Sequence, residues 1–201
     1  MSWQERVQED LMVMRRMAEQ GGRLTMPGGH YYVLWGILVG LGFAGTYVIG
    51  AGLVPLEPWT ISIVWVAVNV IGGLSTWYLS TLDDRKPDAV RLTNRIVGSV
   101  WLAMGLAMGA LFFGNLAFKA LPYAAMAYVS PFFVGAAFMM IGALCALPWM
   151  LAVAAGWIVL GVAMMAFGLT GLTVPIYAVL FSALMVGTGL KLIAMERRLQ
   201  G

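Results

Sequence analysis

Of the 201 residues, 61% are hydrophobic and only 10% charged, with a mean hydropathy of +0.87. Soluble domains carry about 25% charged residues, so this chain cannot cover a water-facing surface, and the soluble globular classes are excluded. At about 20 residues per span, six spans is close to the ceiling for this length. The net charge of +3 and the pI near 9.2 say little about nucleic acid, because the basic residues group by loop in the way that membrane topology requires. Cys145 is the single cysteine, so no internal disulfide forms and the redox compartment stays open.

From the start, Ser2-Trp3-Gln4-Glu5 has the form of a capping box. Trp3, Val7, Leu11, Met14 and Ala18 follow at spacings of three and four, with charged residues between them and a stop at Gly21-Gly22. This pattern predicts an amphipathic helix over 3–20. It lacks the continuous apolar region of a signal peptide and is expected to be retained. Two roles compete for it: a helix lying on the lipid surface, or a docking helix for a cytoplasmic partner.

After a turn-rich entry, hydropathy predicts spans at 31–53, 59–80, 96–118, 121–145, 147–168 and 173–193. The organisation is therefore 1–30, helix and linker, followed by 31–201, a six-helix transmembrane domain. The fold class is all-α, read as three helical hairpins. The stretch 81–93 (TLDDRKPDAVRLT) is the one long polar loop. Pro131 falls inside the fourth span and predicts a kink there, while Pro175 falls in the first turn of the sixth, where a missing donor is tolerated.

Orientation follows from the basic residues. Arg6, Arg15, Arg16 and Arg23 precede the first span, and Arg85, Lys86, Arg91 and Arg95 lie between the second and third. Lys191, Arg197 and Arg198 close the chain, so with six spans eleven of the twelve basic residues share one side, and Lys119 alone takes the other. The positive-inside rule makes the crowded side the cytoplasm, with both termini there.

Glycines mark the spans. Gly105 and Gly109 stand four apart after Trp101, Gly36 and Gly40 repeat the spacing after Tyr32, and Gly161 follows Trp157 with Met165 in the second place. Glycines four apart stack on one helix face and let another backbone approach. WLAMGLAMGAL and WIVLGVAMMAF share five residues in register, and Gly72-Gly73, Gly142 and Gly187 align in the second helix of each hairpin. These matches suggest parallel hairpin repeats, although a chain with 25 glycines also matches itself by chance.

The last two hairpins, especially GWIVLGVAMMAFGLTGLTVPIYAVLFSALMVGTGLKLIAMERR, resemble the short-repeat bacterial membrane proteins of the HdeD type. The block LMVMRRMAEQGGRLTMPGGHYYVLWGILVGL is similar to uncharacterised bacterial six-span inner-membrane proteins. These resemblances imply an integral protein of the bacterial inner membrane, and neither brings a catalytic residue.

No Asp, Glu or Arg falls near the centre of a predicted span, which counts against ion-coupled transport. Asn69, Ser99 and Asn115 are the polar side chains that could line a pathway, although Asn69 reads first as an interhelical hydrogen bond. His30, the single histidine, has no nucleophile or carboxylate near it in the sequence and is read as an interfacial residue. Met104 and Met108 echo a copper-transporter spacing, but the outer loops lack a methionine-rich collecting segment, so they are read as apolar filler. No metal or cofactor is expected. Tyr31, Trp59, Trp77, Tyr123 and Trp149 suit an interfacial belt.

The expected function is that of a non-enzymatic accessory or scaffold protein. It would pack with partners or copies of itself through Gly36, Gly40, Gly105, Gly109 and Gly161 in the bilayer, and through the 3–20 helix outside it. The alternative is a facilitator or flippase for a small neutral or lipidic molecule.

Overall fold

The computed structural model describes residues 28–83 and 88–200, so the predicted 3–20 helix lies outside the described residues. Six helices follow one another: α1 (Gly29–Gly50), α2 (Thr60–Asp83), α3 (Asp88–Phe118), α4 (Tyr123–Leu144), α5 (Trp149–Phe167) and α6 (Thr173–Gln200). All six are long and apolar enough to cross a membrane.

The expected polar loop over 81–93 is mostly helix. α2 runs to Asp83 and α3 begins at Asp88. A helix leaving the apolar slab keeps satisfying its own backbone groups, so composition marks where the span ends and not where the helix ends. α6 likewise continues past its span to Gln200, with Arg197 and Arg198 in its last turn, where cations complement the helix dipole.

α4 passes through Pro131 without interruption. Proline cannot donate to the carbonyl four residues back, that of Ala127. The Ser130 hydroxyl donates to that oxygen at 3.0 Å, replacing the lost partner where no water is at hand.

Each predicted hairpin pair is in contact, but the most extensive packing lies between other helices. α1 packs most extensively on α6, from the opposite end of the chain, and α4 packs next most extensively on α5; α1–α2, α3–α4 and α5–α6 contacts are smaller. α2 and α3, although consecutive, do not pack along their lengths. The share of each span buried in the bundle is 11% for α2 and 6% for α3, against 22% to 39% for the others.

Every helix sends an aromatic ring into one continuous chain. Trp65 of α2 meets Phe43 of α1, which meets Phe181 of α6, then Trp157 of α5, then Phe138 of α4. Phe138 touches both Tyr32 of α1 and Trp101 of α3, and centroid separations along the chain run from 4.5 to 6.2 Å. Phe138 and Trp157 are fully buried. Hydrophobic transfer gives no drive between helices in lipid, so association rests on such close packing and on interhelical hydrogen bonds.

Candidate functional site

The small residues come first, because they decide how closely backbones approach. α1 and α6 touch along Gly29, Gly36 and Gly40. A Cβ on Gly29 would strike the Gly189 carbonyl oxygen, one on Gly36 would lie 2.8 Å from the Met185 Cβ, and one on Gly40 would strike the Ser182 hydroxyl. A Cβ on Gly189 would lie 2.6 Å from the Gly29 carbonyl oxygen. At this separation the Ser182 hydroxyl donates to the Gly36 carbonyl at 2.9 Å. Gly189 was not among the residues that the sequence singled out. Its signal is a spacing of seven, two helical turns, shared by Gly29 with Gly36 and by Ser182 with Gly189.

A Cβ on Gly161 would lie 2.9 Å from the Phe132 ring of α4. A Cβ on Gly105 or Gly109 would meet nothing within 4 Å, so the stretch with the plainest glycine spacing makes no close approach among the described residues. The glycines aligned in the second helices also differ. Gly72 lies under the Trp35 ring, Gly142 lies against the turn into α5, and Gly187 is open.

The pathway candidates are not brought together. The Asn69 amide donates to the Trp65 carbonyl at 2.8 Å, and the Ser99 hydroxyl donates to the Arg95 carbonyl at 2.8 Å, both at exposed positions within their own helices. The Asn115 side chain accepts from the Leu121 amide at 2.7 Å and closes the C-terminal end of α3. These are local backbone partners of the kind that Ser and Asn commonly find.

The structure does assemble polar side chains at one end of the bundle, from parts of the sequence far apart. Asp83, at the end of α2, is 6% exposed. Its Oδ2 accepts from the Tyr31 hydroxyl at 2.9 Å and from the Asn94 amide at 3.0 Å, with His30 Nε2 at 3.5 Å. The Asn94 side-chain oxygen in turn accepts from the Gly28 amide at 3.3 Å. One carboxylate therefore ties the start of α1, the end of α2 and the start of α3. A buried charge of this kind has to be hydrogen-bonded to be tolerated. The carboxylate missing near His30 in the sequence is thus supplied from 53 positions away. The available signal was an acidic residue at a helix C-terminus, where the dipole disfavours it.

A second polar contact lies near the same end, between the start of α5 and the C-terminal part of α6. The Lys191 ammonium sits 4.1 Å from the centre of the Trp149 ring, a cation–π arrangement. Beside the α4–α5 turn, Cys145 is buried, and burial pushes its thiol above the ordinary range. Arg95 and Lys191 lie toward this end, while Lys119 lies beyond the far end of α3, about 36 Å along the helix at 1.5 Å per residue.

Six spanning helices around one apolar core define the class, a multi-pass helical membrane protein. The chain matches no protein-family model, no curated protein and no solved structure.

Proposed function

We propose that the chain is a non-enzymatic accessory or scaffold protein of a bacterial inner membrane, with both termini in the cytoplasm, that associates with a membrane partner or with itself through α3. The observation that carries this reading is the outer face of α3. Gly105 and Gly109 have open space where a Cβ would stand, and Leu102, Leu106 and Phe113 around them are exposed. A glycine face with no neighbour among the described residues leaves room for a helix from another chain. Asn69, Ser99 and Asn115 are paired separately, and no observation favours the facilitator reading.

The test is native mass spectrometry of protein extracted with its own lipids, alongside a Gly105→Leu/Gly109→Leu variant. We expect the wild type to give a discrete mass containing a second copy or another protein. We expect the variant to lose that mass while keeping its helical content, because no described residue fills the space the leucines take. A wild-type species of 21.7 kDa alone would overturn the reading.

A further inference from the structure

We propose that the flank of α2 carrying Asn69 is a self-association face, on which two copies of this chain exchange Asn69 amide hydrogen bonds across a two-fold axis. The inference stands apart from the reading of α3, which concerns a different helix.

Asn69 sits at the depth where a polar side chain finds fewest partners. Trp59, just before α2, and Trp77, within it, are both exposed, and at 1.5 Å per residue they stand about 15 Å and about 12 Å from Asn69 along the axis. Tryptophans so placed mark the two membrane interfaces, so the amide lies near the middle of a hydrocarbon layer about 30 Å thick. A side-chain amide offers two N–H donors and a carbonyl acceptor. One N–H goes to the Trp65 carbonyl at 2.8 Å, and no described residue takes the second or donates to the oxygen. The side chain is exposed, and lipid tails have no hydrogen bond to give it.

The surface around Asn69 admits a second helix. Val66 stands three residues before it, Gly73 four after it and Ser80 seven further on, a heptad spacing that places them on one flank. All four residues are exposed, and a Cβ on Gly73 would meet nothing within 4 Å. Val64, Trp65, Val68 and Gly72, which meet α1, lie round the helix from this flank. A small residue such as Gly73 lets two backbones approach closely enough for short polar side chains to bond across.

A second copy fits this face because an amide is at once donor and acceptor. Copies of one chain share one orientation in the membrane, so a two-fold axis along the membrane normal sets both Asn69 side chains at the same depth. Each then donates its spare N–H to the other's oxygen, the self-complementarity that an isologous contact requires. A different helix would need its own polar residue at that level, whereas a second copy always brings one. A single Asn in an apolar seam also fixes the register of paired helices.

The test is disulfide cross-linking of the full chain in membranes of its host, in a Cys145→Ala background, read by intact mass. Gly73→Cys lies one turn from Asn69, while Ile71→Cys lies at nearly the same depth but about 160° round the helix, at an equally exposed position. We expect Gly73→Cys to give a product of twice the chain mass on oxidation and Ile71→Cys to give none. This comparison leaves Asn69 in place. Asn69→Leu should lower the association constant about tenfold, the effect of two lost interhelical bonds, with helical content kept. Förster transfer between labelled copies diluted in liposomes reads that change. The Gly105→Leu/Gly109→Leu variant should keep the Gly73→Cys product, so this contact and the α3 reading fail separately. No doubled mass at Gly73→Cys, equal cross-linking at Ile71→Cys, or a product joined to a different protein would overturn the proposal. So would an association constant unchanged by Asn69→Leu, or loss of the product in the α3 variant.

Discussion

A methyl group added at Gly189 would lie 2.6 Å from the Gly29 carbonyl oxygen and 2.9 Å from the Val33 amide. Backbone atoms cannot step aside as a flexible side chain can, so α1 and α6 would have to separate. We expect Gly189→Ala to lower stability by about 1–3 kcal/mol, the usual cost of overpacking, and Gly105→Ala to stay within about 0.5 kcal/mol. Thermal unfolding of the two variants in one detergent checks this, and equal midpoints would mean that the α1–α6 contact is absent. Cys145 offers a second test. Burial keeps the thiol protonated, and the thiolate is the reactive form. The sign follows from linkage: a thiol whose folded pKa is raised contributes stability below its ordinary range, and that contribution is lost as pH rises through it. Maleimide near neutral pH should therefore leave the folded chain unmodified and label it stoichiometrically in denaturant, as read by intact mass. Fast labelling of the folded chain would contradict the burial.

Among the elements, α4 holds the centre of the aromatic chain. Phe138 is fully buried and touches rings from α1, α3 and α5. In lipid the transfer part of the cost of truncation largely disappears and the cavity part stays. At about 24 cal/mol per Å3, a hole on the order of 100 Å3 left by Phe138→Ala costs about 2 kcal/mol. Chemical unfolding should show that loss, while Phe113→Ala on the exposed face of α3 should show almost none. Neither outcome is visible in composition, since both phenylalanines sit in equally apolar stretches. The Pro131 position was legible as a disturbance, but its remedy was not: Ser130 answers it through a hydroxyl orientation that only the folded helix displays.

At the scale of the molecule, the distribution of Lys and Arg predicts a single orientation. A cysteine at Lys119 should react with a membrane-impermeant reagent from outside intact cells, and one at Arg95 only in inverted vesicles, both in a Cys145→Ala background. The reverse pattern would overturn the cytoplasmic placement of the termini. The described basic residues of α3 and α6 support the grouping, because Arg95 and Lys191 lie toward the end where Asp83 ties α1, α2 and α3.

The number and position of the spans were readable from residues alone, because lipid admits only segments that satisfy their own backbone and present apolar side chains. That rule acts locally, so a local reading suffices. Which helices touch is decided elsewhere. In lipid every helix face is similarly apolar, and hydropathy cannot tell Gly36, pressed on α6, from Gly105, facing outward. The same holds for Asp83, which joins Tyr31 and Asn94 only once three helix ends converge. Contacts of that range depend on shape and separation in space, and the tertiary structure alone supplies them.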